Sequence, residues 1–333
     1  MAHKINRWSD IAAKYEDTIL LGNGASVAVD NSFSYASLLN RALTEKLISN
    51  DVQQIFDFFN TKDFELVLRT VWQATNINRA LKIDDKRTQE AYENVRDALI
   101  RAVREIHPDY DAVTHHFPAI CQFLRNFKTV VSLNYDLIVY WTMMYGNALR
   151  DGHSFKDCFV SGEFRDDWME LREPIRGDQS VTLVFYPHGS LTLSRDKAED
   201  ERKIHGGDVR LLDAILSRWE SEEVVPLFVS EGTWKQKVSA IRNSYYLSTV
   251  YREVLTSDHP TLTIYGWGFG EQDVHILDRM KNAGIKSVAV SVYQNRQADC
   301  NHAFETIADK LGADVEVEFF DSGSDGSWIH IAS

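Results

Sequence analysis

The chain has 333 residues, 44% of them hydrophobic and 26% charged, with a formal net charge of −13. That is a globular mixture, with room for one large α/β core and an appended region. So acidic a chain is repelled by nucleic-acid phosphate, which speaks against a general DNA- or RNA-binding surface. Cys121, Cys158 and Cys300 lie far apart, with no Cys-x-x-Cys pair. This spacing suggests neither a zinc ribbon nor a disulfide framework, so no metal site is expected, and it fits a reducing cytosol. No apolar signal core opens the chain, and no run approaches the roughly 20 apolar residues of a membrane span. A soluble cytoplasmic protein is expected.

In chain order, residues 6–15 predict a short leading helix and residues 17–21 a first strand. The strand empties into Gly22-Asn23-Gly24-Ala25-Ser26. Two glycines one residue apart let the backbone turn sharply and approach a ligand, and a helix opening there offers N–H groups to phosphate. Alone, Gly-x-Gly suits an ordinary loop as well. Residues 27–33 read as loop. Residues 35–127 read as nearly all helix, with Ala91, Val95, Ala98, Leu99 and Val103 on one face of a helix over 88–106. The domain division is therefore 1–33 plus 128–333, interrupted by a helical insertion at 34–127.

Strand and helix alternate thereafter. A strand at 128–133 ends at Asn134-Tyr135-Asp136, and a helix follows to 145. Residues 146–179 are polar and irregular. A strand at 181–186 ends at Pro187-His188-Gly189, and a helix covers 209–219. A strand at 224–229 carries Pro226, and 234–255 are helical. A strand at 261–265 ends at Gly266-Trp267-Gly268, ahead of a helix at 273–283. A strand at 286–292 ends at Tyr293-Gln294-Asn295, and a helix at 297–311 precedes a last strand at 315–320. Continuously apolar, β-branched strands predict an α/β, Rossmann-like three-layer fold with a mostly parallel sheet.

In such sheets ligands bind beyond the carboxyl ends of the strands. Five strands here stop at polar or glycine-rich clusters, which would meet on one rim of dinucleotide size. Gly22, Asn23, Gly24, Ala25 and Ser26 are candidates for a diphosphate. Gly189, Gly266, Gly268, Asp273 and Tyr293 are candidates for the remainder of the ligand. Each has a plainer reading. Glycines make turns, Asp273 suits a helix cap, Asn134 suits a turn and Asp136 suits an N-cap. His188 is either a packed histidine or a base titrating near working pH.

The order Gly-x-Gly-Ala-Ser, then Leu133-Asn134-Tyr135-Asp136, then His188-Gly189, then Gly266-x-Gly268 with Asp273, resembles the sirtuin superfamily. It is most similar to the bacterial sirtuin-like NAD hydrolases of phage-defence systems, many of which have a Thr-x-Asn-Tyr-Asp element. The resemblance covers residues 19–26 and 128–320. It implies a catalytic set of Asn134, His188 and Asp136, with NAD as substrate and no further cofactor. It also implies a regulated antiviral effector, a homo-oligomer and an activating partner protein, with no membrane and no direct nucleic acid. The four-cysteine zinc module of sirtuin deacylases cannot be built here, which argues against an acyl-lysine peptide substrate. An ADP-ribosyltransferase and a non-catalytic NAD or ADP-ribose sensor stay open as alternatives. An oxidoreductase is disfavoured because Val27 stands where Gly-x-Gly-x-x-Gly needs its third glycine.

Overall fold

The computed structural model describes residues 2–34, 37–175, 177–206, 210–229 and 231–331. Tyr35 and Val209, where the helical region and a later helix were expected to open, lie outside the described residues. In chain order the strands are β1 Ile5–Asn6, β2 Thr18–Leu21, β3 Thr129–Ser132, β4 His153–Lys156, β5 Phe159–Val160, β6 Glu163–Phe164 and β7 Ser180–Phe185. They continue with β8 Gly189–Asp196, β9 Glu201–Lys203, β10 Val224–Phe228, β11 Thr261–Tyr265, β12 Ser287–Val292 and β13 Glu316–Asp321.

Eight strands form the central sheet in the order β1-β13-β12-β11-β2-β3-β7-β4. Every pairing in it is parallel. The expected Rossmann-like architecture is therefore the observed one. The middle strands are buried on both faces: Ile19, Leu20, Leu21, Val130, Val131, Leu262 and Ile264 are fully covered. Burial of that kind requires helices on both sides. Helices Phe117–Leu124 and Ile138–Leu149 pack on each other, and His275–Met280 packs with Gln297–Lys310. β2 pairs with β3 on one side and β11 on the other. The chain runs outward from β2 in both directions, so the topological switch point lies at the end of β2, beside Gly22.

Three expectations are corrected. Residues 27–33 are not loop: helix Asn23–Val29 starts at the glycine turn, and a 3₁₀ turn covers Asn31–Phe33. The irregular stretch at 146–179 supplies β4, the edge of the main sheet, paired with β7 from His153↔Ser180. Its alternating exposure is what an edge strand shows, and it hides the strand from a search for apolar runs. β10 does not join the parallel sheet. It pairs antiparallel with β8 in a small separate sheet ordered β10-β8-β9. As an edge strand β10 tolerates Pro226, and the register shifts directly after it. β8 had no apolar signature because its buried polar groups satisfy one another, as in the 3.1 Å contact between Ser190 and Thr192 hydroxyls.

The segment between β2 and β3 is helical as expected, and its caps are legible. Ser37, Ser49, Asp63 and Asp85 each accept a backbone N–H at the start of helices Leu38–Thr44, Asn50–Phe59, Phe64–Ala80 and Lys86–Ile106. Such caps satisfy amides that a helix leaves open. The segment's apolar faces join the main core through Leu38, Val52, Phe64, Val95 and Leu99.

Candidate functional site

A cavity of about 1850 Å³ opens at the carboxyl ends of β2, β3, β7 and β11. Gly22, Asn23 and Gly24 line it from β2, Asn134 and Asp136 from β3, His188 from β7, and Gly266, Gly268 and Asp273 from β11. Four of the five predicted strand ends thus meet in one space. The fifth does not: Tyr293, beyond β12, is 62% exposed and does not line the cavity. Ala25, Ser26 and Gly189 also stand outside the lining. Gly189 has φ +77°, and a Cβ there would strike the backbone of Leu227 and Phe228.

The glycine turns interlock. Gly22 N–H donates to the Tyr265 carbonyl at 2.9 Å and Gly24 N–H to the Gly266 carbonyl at 2.7 Å. A Cβ on Gly24 would lie 2.7 Å from that oxygen, and one on Gly266 would collide with Ala25 N. These glycines are therefore required by the contact of two loops, and the Gly24 amide is already spent. Gly268 differs: a Cβ there meets nothing within 4 Å.

Beneath the turn runs a buried polar chain. Asn134 Nδ2 donates to the Gly22 carbonyl and to Ser26 Oγ, each at 2.9 Å. Ser26 Oγ donates to Asp136 Oδ2 at 2.5 Å, and Asp136 Oδ1 accepts from Ile138 N at 2.9 Å. Ser26 thus links Asn134 to Asp136 instead of facing the cavity. Asp136 does support the following helix start, alongside its role in the chain. Burial raises its carboxyl pKa against the hydrogen bonds from Ser26 and Ile138.

His188 is 2% exposed. Its Nε2 lies 3.2 Å from Nε2 of His275 and 3.8 Å from Asp273 Oδ1. Lys237 Nζ holds the same Asp273 oxygen at 2.8 Å. Burial, then the charge of Lys237, pushes the His188 pKa down to about 3. Burial lowers His275 to about 4. Both rings are neutral at pH 7 and accept where they lack a proton. Burial alone would raise the Asp273 carboxyl, but the Lys237 ammonium bonded to it outweighs burial and holds the group low. Asp273 is not a helix cap: the helix His275–Met280 starts from Val274, and the carboxylate is taken by Lys237.

Helices Leu38–Thr44 and Asn50–Phe59 build the opposite wall with Leu39, Asn40, Leu43, Gln53 and Phe56. Glu231 fastens that wall, accepting from Ser37 Oγ at 2.6 Å and from Leu38 N. Tyr135 and Trp267 also border the cavity, and Tyr135 Oη and Trp267 Nε1 are buried without a hydrogen-bond partner among the described residues. Sequence reasoning passed over Lys237, Glu231 and His275. His275 carried a signal, lying two residues from Asp273 after a glycine-rich strand end. Glu231 follows closely on the expected strand at 224–229, a strand end that was not searched for site residues, and Lys237 carried no signal because it comes from the middle of helix Trp234–Arg242.

A family model described as Domain of unknown function (DUF4917) matches residues 19–328. The chain belongs to that family. The match runs from β2 to Trp328, so the family's domain contains both the glycine turn and the helical wall facing it. No curated protein matches the chain. A solved structure described as "Structural Basis for the Mechanism and Regulation of Sir2 Enzymes" is similar over 96% of this chain and 92% of that one, at 12% identity and a TM-score of 0.36.

Proposed function

We propose that the cavity binds NAD and hydrolyses its nicotinamide–ribose bond, releasing nicotinamide and ADP-ribose. The observation that carries this reading is the convergence of Gly22, Asn134, His188 and Gly268, from four strand ends, on one cavity at the switch point of a parallel sheet. In the reaction the C–N bond to nicotinamide breaks, water adds to the ribose carbon, and the water's surplus proton is released. The difficulty is the oxocarbenium-like charge on the ribose. Asn134, held on Gly22 and Ser26, presents its remaining amide oxygen to the ribose or the incoming water. His188, neutral, accepts a proton or a strong hydrogen bond from a ribose hydroxyl or that water. Asp136 acts through Ser26 to fix Asn134 and is a positioning residue. Gly268 leaves room for the ligand backbone at the rim.

Free NAD hydrolysis would drain a cell, so control by assembly into a homo-oligomer or by an activating partner, as in an antiviral effector, belongs to the same proposal. The helical wall over the cavity is the element on which such control would act. Incubation of the purified protein with NAD, followed by chromatographic detection of nicotinamide, tests the reading. Intact NAD under every assembly condition would refute it.

A second reading has one observation in its favour. Ligand pockets typically run about 300–1000 Å³, and this cavity is larger. The surplus suits an acceptor beside NAD, as in an ADP-ribosyltransferase. Mass spectrometry of the products separates the two: hydrolysis gives free ADP-ribose and transfer gives a modified acceptor.

A further inference from the structure

We infer that His188, His275 and Asp273 form a binding site for a divalent transition-metal ion of the zinc, cobalt and nickel class, and that the ion silences the cavity's chemistry. The second half rests on the reading of His188 as the base; the first does not.

The geometry comes from three groups whose ligand atoms all lie within 4.8 Å of one another. His275 Nδ1 is 3.2 Å from the Gln272 carbonyl, which can only accept. The His275 ring proton therefore sits on Nδ1, and Nε2 is a bare lone pair. That lone pair accepts from His188 Nε2–H, 3.2 Å away, and a bound ion takes the place of that proton between the two rings. A histidine whose far nitrogen is tied to a backbone carbonyl is the usual form of a metal-ligating imidazole. Two nitrogens on one tetrahedral ion stand about 3.3 Å apart when each bond is about 2.05 Å. The observed separation is 3.2 Å. Asp273 Oδ1, 3.8 Å from His188 Nε2, needs to close by about half an ångström on that side and by more towards His275, within the 4.8 Å that bounds the three groups. Two imidazoles and one carboxylate suit zinc and its neighbours, and His188 and Asp273 both border the cavity, leaving an open position for water.

Lys237 decides how tightly the ion is held. Its ammonium already neutralises Asp273 at 2.8 Å and is itself buried. Ion and ammonium compete for one carboxylate, so occupancy follows the metal concentration instead of being permanent. An ion on His188 turns the ring into a ligand, and a liganded imidazole is a poor proton acceptor.

The test is titration of the chelator-treated, full-length protein with Co²⁺, read by its visible d–d absorption. We expect one saturable ion per chain, displaced by Zn²⁺. His275→Gln should bind more than roughly 100-fold more weakly, and Lys237→Met roughly tenfold more tightly. Asp273→Asn, near-isosteric and partly exposed, should also bind more weakly and guards against a misfolded His275 variant. Nicotinamide release by the wild type should fall in step with Co²⁺ occupancy, while Co²⁺ should not lower the rate of His275→Gln, whatever that rate is. Absence of a saturable Co²⁺ band, or equal affinity in wild type and both ligand variants, overturns the site. Full nicotinamide release at saturating Co²⁺ overturns the silencing. If the metal-free wild type releases no nicotinamide under every assembly condition while the Co²⁺ band appears, the hydrolase reading falls and the metal site is supported.

Discussion

Asn134 is bolted to the glycine turn: its Nδ2 donates to the Gly22 carbonyl at 2.9 Å across the boundary between β3 and β2. The residue proposed to act on substrate is thus also a strut between two strand ends. Asn134→Ala removes that bond and the one to Ser26. We expect nicotinamide release to fall by roughly 10²–10³-fold, the usual effect of deleting one preorganised polar group. A stability loss of about 1–2 kcal/mol should accompany it, from two buried hydrogen bonds. Denaturant melts and a steady-state assay check the two effects separately.

His188→Ala should lower kcat by about 10²–10⁴-fold while NAD still binds. Calorimetric titration of NAD into the variant measures the second part. Wild-type kcat in a variant that folds normally would remove His188 from the chemistry.

Gly24 and Gly268, on the two interlocked turns, should respond differently. Gly24→Ala places a Cβ 2.7 Å from the Gly266 carbonyl, and neither backbone can yield alone. A destabilisation of about 1–3 kcal/mol is expected. Gly268→Ala meets no protein atom within 4 Å, so its melting temperature should be nearly unchanged. If NAD passes close to Gly268, its KM should nevertheless rise. Thermal melts beside KM values decide this.

Acid should weaken the fold through the paired histidines. Burial holds His188 at about 3 and His275 at about 4, below the 6.5 of a free imidazole. The unfolded chain therefore takes up protons that the folded chain refuses. Their contribution to stability is complete above pH 6.5 and is lost as the pH falls towards about 3 to 4. Melting temperatures followed from about pH 7 to about pH 4 should decline, and His188→Gln should flatten the decline.

Glu231 should govern the wall. It holds Ser37 Oγ and Leu38 N at the start of helix Leu38–Thr44. Glu231→Ala should cost about 1–3 kcal/mol, as bonds to a charged acceptor do. Hydrogen exchange should speed up over residues 38–59 and leave β2 and β3 protected.

Much of the fold could be read from the chain because the central strands advertise themselves. Thr129–Ser132 and Thr261–Tyr265 are short runs of apolar and β-branched residues centred on the fully buried Val130, Val131, Leu262 and Ile264. Edge strands and polar strands escape such a reading. β4 alternates because one side is half-exposed, and β8 is buried through paired hydroxyls and the ion pair of Arg195 with Glu201. The candidate site was legible where it sits directly after a strand, as at Gly22, Asn134 and His188. It was not legible where tertiary packing delivers the residue. Lys237 reaches Asp273 from a helix 36 residues earlier, and Asn40 and Gln53 reach the cavity from the inserted helices. Ser26 and Asp136 were singled out separately, yet their link through one short hydrogen bond was invisible in the sequence.

The interlocked loops after β2 and β11 bear on how anything enters. Gly24 and Gly266 are stitched backbone to backbone, so that lip of the cleft has little freedom to part. The far side is joined differently: side chains hold it, the Glu231 carboxylate at the start of helix Leu38–Thr44 and the Arg87–Asp51 pair on helix Asn50–Phe59. One jaw is sewn main chain to main chain and the other is held by side chains, so any widening of the cleft falls to the helical jaw.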